Sequence, residues 1–272
     1  MFREVVRARG VAVKRVNLRK SLFILPNLFT LSSVLCGYYA VLLCSNATDS
    51  DAYYRAALLI IFAMFFDTID GRVARLTKTQ SAIGVQLDSL ADVMSFGMAP
   101  AVLVYQWSIK ALGPIGVFVA FTYVACGAIR LARFNVISTA ESGAPKKPGK
   151  YILGLPIPAA AGILISMVVA NNFGHVPGSP MIITAVVLAL SFFMVSSIKF
   201  RSFKDLKLNW RTALFVLFAT GSTAFIAVRF DISVALVWFL VSDVAIGVTE
   251  TLIGLAGRMR KRSKARDSEP VT

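Results

Sequence analysis

FFDTIDGRVARLTKTQSAIGVQLDSLADVMSFG, residues Phe65 to Gly97, joins the end of one apolar segment to the start of the next. Asp67 and Asp70 stand three apart where the first segment closes, and Asp88 and Asp92 stand four apart where the second opens. On helices, these spacings put each pair on one face. Two such helices running antiparallel through a bilayer bring all four acids to one depth. An ionised Asp in a lipid-embedded helix costs at least roughly 2.5 kcal/mol, so four without fixed counter-charges argue for bound cations. A structural polar cluster is the alternative.

Between the pairs lie Gly71, Ala74, Arg75 and Gly84. The small residues permit close approach of a bulky ligand to the backbone, and the Arg75 fork suits a phosphate. Carboxylate oxygens are hard donors, matched to Mg²⁺ or Mn²⁺, and such cations are commonly shared with phosphate oxygens. Cations, an arginine and a gap together describe a diphosphate pocket. Gly71 and Gly84 taken singly are equally well read as helix-packing residues.

The rest of the chain reads as a holder for that site. Of 272 residues, 57% are hydrophobic and 16% charged, with a mean hydropathy of +0.71; this is the composition of a polytopic membrane protein, not of a soluble domain. The first 20 residues are basic and only weakly apolar, unlike a cleavable signal, so the next apolar segment is expected to stay as the first helix. Cys36, Cys44 and Cys126 have no CxxC spacing and read as small buried apolar residues.

Eight apolar segments are expected to span, about 22–45, 53–73, 84–107, 112–135, 153–171, 179–198, 211–229 and 232–256, each near the ~20 residues a crossing needs. Placing both termini in the cytoplasm puts 26 of the 29 Lys and Arg on one side, leaving only Arg55, Lys110 and Arg229 outside. That asymmetry also accounts for the formal net charge of +15. Basic runs beside membrane helices face anionic lipid headgroups, so no nucleic-acid partner is expected. The chain divides into a basic interfacial segment (1–20), a six-helix core (21–200), two additional helices (201–256) and a basic tail (257–272).

Several residues carry open readings. Helix one is expected to begin near Pro26-Asn27, where Asn27 either caps the helix or touches ligand. Arg130 and Arg133, at the inner end of helix four, either anchor the helix or grip a carboxylate or phosphate. Lys146, Lys147 and Lys150 read as a headgroup-facing surface, and Ser95 as a hydroxyl bonding its own backbone. Pro156 and Pro158 open helix five. His175 stands alone in an outer loop. Asp243 and Glu250 share a face of helix eight with no assigned cation.

The pattern Asp67-x-x-Asp70-Gly71-x-x-Ala74-Arg75, eight residues, then Gly84-x-x-x-Asp88-x-x-x-Asp92 resembles the signature of the CDP-alcohol phosphotransferase family at every defined position. Ser89 to Ala101 (SLADVMSFGMAPA), Ala128 to Val136 (AIRLARFNV), Gly154 to Gly162 (GLPIPAAAG) and NLFTLSSVLCG in helix one are most similar to its phosphatidylserine synthase branch. The resemblance implies transfer of a phosphatidyl group from CDP-diacylglycerol to L-serine, with CMP released. It implies a pair of Mg²⁺ or Mn²⁺ ions on Asp67, Asp70, Asp88 and Asp92, with Asp92, close to the metals, also the general base. Gly71, Ala74, Arg75 and Gly84 would hold the nucleotide diphosphate, and Arg130 and Arg133 the acceptor or phosphate. It further implies a homodimer in a bacterial-type inner membrane, with the active site facing the cytoplasm.

Three alternatives share parts of this pattern. A sister transferase would use choline, glycerol phosphate or inositol phosphate; the last two call for a dense basic pocket and choline for an aromatic cage. A cation transporter would need a polar path across the outer half, which the acids, clustered at the inner end, do not supply. A lipid-binding protein would keep the motif without turnover.

Overall fold

The computed structural model describes residues 18–139, 151–174, 178–196 and 199–201, apart from 78 and 80. Helices α1 (Leu18–Ser45) and α2 (Ser50–Leu76) form an antiparallel pair. Asp49 starts α2 by accepting from the Ala52 amide, at 3.0 Å, one of the donors a helix start leaves unpaired. Next comes a long rod, Ala82–Trp107: α3 (Ala82–Asp92), a π-helical stretch (Val93–Met98) and α4 (Ala99–Trp107). A short 3₁₀ turn (Ile109–Leu112) leads into α5 (Pro114–Thr139), followed by α6 (Ile157–Asn172) and α7 (Pro180–Val195). Strands β1 (Tyr151–Leu153) and β2 (Lys199–Arg201), which the apolar pattern did not foreshadow, pair antiparallel with Ile152 opposite Phe200.

The described fold is therefore six helical rods, and it corrects the expectation of eight membrane spans. Three rods are long and apolar enough to cross: Leu25–Ser45, Ala82–Trp107 and Pro114–Ile137. At 16 residues each, α6 and α7 rise about 24 Å, short of ~30 Å of hydrocarbon. Helix α2 has 27 residues, but between Arg55 and Asp67 its uncharged run rises only about 16 Å. A hydropathy window reads each apolar stretch as a crossing because it does not register where a helix stops. The segments 211–229 and 232–256, the divisions 1–17 and 202–272, Lys146, Lys147, Lys150, His175, Asp243 and Glu250 lie outside the described residues.

Large side chains on the outer faces of α1, α5 and α7 are exposed, among them Leu35, Phe118, Phe121 and Phe192. With three spans of membrane length, this is the surface of a multi-pass membrane protein, because hydrocarbon rather than water surrounds those faces. Lipid gives no hydrophobic drive for helix association, so small residues at close approaches carry the packing. Ala56, Ala57 and Ala63 of α2 and Ala160 and Ala161 of α6 are buried, and a Cβ on Gly127 would come within 2.5 Å of Ile157 Cδ1. Gly154, at φ +75°, lies so close to the Met194 carbonyl that a Cβ would collide with its oxygen.

Helix α1 departs from expectation at its start: Pro26 lies inside the helix, not at its opening. The π stretch departs too. Ser95, Phe96 and Gly97 are all buried, which three consecutive residues of one ordinary α-helical surface stripe would not be. Ser95 meets α1, where Ser33 Oγ donates to Ser95 Oγ at 3.3 Å. Gly37 makes this approach possible, since a Cβ there would lie 2.9 Å from Ser95 Cα. Gly37→Ala is expected to push α1 off the rod and destabilise the protein by about 1–3 kcal/mol. Thermal unfolding in detergent checks this, and an unchanged midpoint would contradict the close-packing account.

Candidate active site

Asp67 and Asp70 occupy the last turns of α2, and Asp88 and Asp92 the C-terminal half of α3. The reversal between the helices is built locally. Thr77 closes α2, its amide donating to the Val73 carbonyl at 2.9 Å and its hydroxyl to the same oxygen at 2.7 Å. Ser81 opens α3 by accepting from the Gly84 amide at 3.0 Å. A tight reversal lays the two acidic faces against each other.

One carboxylate oxygen from each of Asp67, Asp70 and Asp88 lies within 4.8 Å of the others. Asp70 is 4% exposed, and Asp67 and Asp88 are half-buried. Three hard oxygens so close together, without a Lys or Arg ion pair recorded on them among the described residues, suit a divalent cation of the Mg²⁺ or Mn²⁺ kind. Asp92 is outside this trio. Its Oδ1 is buried with no hydrogen-bond partner among the described residues, and its charge is felt by Asp67, Asp88 and Arg130. A buried acceptor without a donor is costly.

Beside the trio opens a cleft of about 130 Å³. Helix α1 lines it with Pro26, Asn27 and Thr30, α2 with Asp70, Gly71 and Ala74, and the turn and α3 with Thr79, Ser81, Gly84, Val85 and Asp88. A Cβ on Gly84 would come within 3.1 Å of Ser81 Oγ and 3.7 Å of Asn27 Oδ1, so any larger residue there closes the gap between α1 and α3. Gly71, Ala74 and Gly84 thus meet in one cavity. Arg75 does not line it: this exposed side chain folds back and donates from Nε to the Gly71 carbonyl at 2.7 Å.

The two arginines of α5 part company. Arg130 is buried, and its Nε has no partner among the described residues. Arg133 is exposed, and its Nη1 donates to the Val195 carbonyl of α7 at 3.4 Å. Asn135 braces the site from behind, donating to Ser89 Oγ at 2.9 Å. Among the cleft residues, Thr30, Thr79 and Ser81 were not singled out in sequence. The available signal was position: Thr30 follows Pro26 by one helical turn and so shares its face.

The sequence model of CDP-alcohol phosphatidyltransferases matches residues 23–195, the whole of the helical bundle that carries the acids and the cleft. The chain belongs to the CDP-alcohol phosphatidyltransferase family. Similar relatives include the CDP-diacylglycerol–serine O-phosphatidyltransferase of Helicobacter pylori, 39% identical over 198 residues, or 72% of this chain and 78% of that protein. The Bacillus subtilis protein of the same name is 35% identical over 182 residues, covering 66% of this chain and 91% of its own. The archaetidylserine synthase of Methanothermobacter thermautotrophicus is 33% identical over 182 residues, 66% and 70% of the two chains. As a CDP-alcohol phosphatidyltransferase, the protein is an enzyme of phosphoryl-group transfer, and its Asp67, Asp70 and Asp88 trio is fit to hold the divalent ion such chemistry uses.

Proposed function

We propose that the enzyme transfers the phosphatidyl group of CDP-diacylglycerol to the hydroxyl of L-serine, yielding phosphatidylserine and CMP. The observation that carries this reading is the buried Asp92 Oδ1, without a hydrogen-bond partner among the described residues, beside the carboxylate trio that borders the cleft. In this reading the nucleotide enters between Asn27, Gly71, Ala74 and Gly84, with its diphosphate towards Asp70 and Asp88, all of which line the cleft. Asp92 takes the proton as the serine oxygen bonds to phosphorus, and the bond from phosphorus to the CMP oxygen breaks in the same displacement. A pair of Mg²⁺ or Mn²⁺ ions on Asp67, Asp70 and Asp88 supplies neutralisation of the charge on the transferred phosphate and on departing CMP. Arg130, buried with an open Nε, suits the serine carboxylate, because a guanidinium fork matches that group. Arg133, engaged with Val195, and Arg75, folded onto Gly71, are the weaker candidates for substrate contact.

The membrane fits a lipid-linked donor. Acyl tails stay in the leaflet while the cytidine head enters the cleft, which avoids an extraction cost of ~0.8 kcal/mol per CH₂. In this reading the cleft opens to the cytoplasm, the side favoured by the basic residues, and the enzyme works as a homodimer in a bacterial-type inner membrane. Serine as acceptor is supported by the names of the relatives in H. pylori and B. subtilis.

The test supplies purified protein and CDP-diacylglycerol with labelled serine, glycerol phosphate, inositol phosphate or choline in turn. Serine is expected to yield labelled lipid and CMP at least about 100-fold faster than the others, the discrimination a buried fork gives when its partner is missing. Equal or faster turnover with another acceptor would reassign the substrate.

A further inference from the structure

Among the described residues, Thr30 both lines the cleft from α1 and bonds an acid of the trio. It is 4% exposed, and its Oγ1 donates to Asp70 Oδ2 at 2.7 Å across 40 residues of sequence. A second acceptor, the Pro26 carbonyl, lies 3.1 Å away. A hydroxyl has one proton, and the shorter, charge-assisted bond takes it. One turn further along the same face, Ser33 donates to Ser95 just beyond Asp92. Helix α1 is thus fastened by hydroxyls to α2 and to the π stretch that continues α3, and of these two hydroxyls the one on Thr30 touches a carboxylate.

We infer that Thr30 is a positioning residue for the metal centre, fixing the rotation of the Asp70 carboxylate so that the trio is assembled before a cation arrives. The inference rests on the reading of Asp67, Asp70 and Asp88 as metal ligands. Groups that hydrogen-bond a ligand set its direction, and losing one costs metal affinity even though it never meets the metal. Simple helix glue makes a different prediction: a hydroxyl that only ties α1 to α2 changes stability and leaves cation affinity alone.

Binding of Mn²⁺ to purified, detergent-solubilised full-length protein separates the two, read from the disappearance of the free-ion paramagnetic resonance signal without substrate. Thr30→Val keeps the volume and removes the donor; it is expected to weaken Mn²⁺ binding about 10- to 100-fold. Thr30→Ser keeps the donor and should bind near the wild-type level. Ser33→Ala, which removes a hydroxyl link not touching an acid, should do the same, with thermal unfolding reporting that each variant is folded. If Thr30→Val does not fold, Thr30→Ala replaces it. Unchanged Mn²⁺ affinity in the variant lacking the hydroxyl, or equal loss in Thr30→Ser, overturns the inference. Asp70→Asn keeps the parent reading separate. If it binds as well as wild type, the metal assignment itself fails; if it loses Mn²⁺ while Thr30→Val does not, only the role of Thr30 falls.

Discussion

Asp92→Asn is expected to lower CMP release by about 10²- to 10⁴-fold while CDP-diacylglycerol still binds. The substitution keeps shape and removes basicity. Asp92 is absent from the cleft lining, so the donor's nucleotide loses no wall, and Asp67, Asp70 and Asp88 keep their close grouping. What is lost is the negative charge, and with it the basicity of a buried carboxylate whose Oδ1 has no partner among the described residues. The expected signature is a large fall in kcat with a small change in KM for the CDP-lipid, the pattern of an interaction used in the transition state. Near-normal turnover in the variant would remove Asp92 as the proton acceptor.

Asp88→Ala is the second large effect, and its signature differs. Asp88 belongs to the carboxylate trio and also borders the cleft, so both cation binding and donor binding should suffer. Loss of several kcal/mol of charge stabilisation corresponds to a fall of at least about 10³-fold in kcat/KM. Exhaustive chelation of the wild-type enzyme should produce a comparable loss, reversed by returning Mg²⁺ or Mn²⁺, whereas added ion should not restore the variant. Full turnover after chelation would contradict the metal role of all three acids.

Comparing the two variants asks whether the four acids are one unit or two. The geometry joins them unequally: three oxygens lie within 4.8 Å of one another, and the fourth carboxylate, one helical turn on from Asp88, shares a side-chain hydrogen bond with Asp67 and meets the electrostatic influence of Arg130 of α5. The spacing of the motif alone treats them as a quartet. Directly after Asp92 the rod passes into a π stretch, and α5 brings Arg130 to that side. Turns of this kind are rare and concentrate at functional sites.

Local chemistry made the acids, the small residues between them and the general membrane character legible in the sequence. Helical spacing fixes which face a side chain takes, and a carboxylate in an apolar segment is costly enough to signal purpose without any knowledge of neighbours. Span number was not legible in the same way. Hydropathy reports transfer energy averaged along a stretch, whereas crossing depends on where each helix stops, and α6 and α7 stop at 16 residues.

By itself, then, the sequence determined that two acidic helix ends face each other in a membrane protein and that small residues keep a gap beside them, since these follow from spacing and solvation within a short stretch. Packing between helices was needed to reveal which distant residues come near the acids: Thr30 of α1 bonds Asp70, Asn27 lies across from Gly84 and Arg130 is near Asp92, whereas Arg133 reaches to α7. Those pairings cross from one helix to another, and the rotation and closest approach of packed helices are set by side-chain contacts along their whole length.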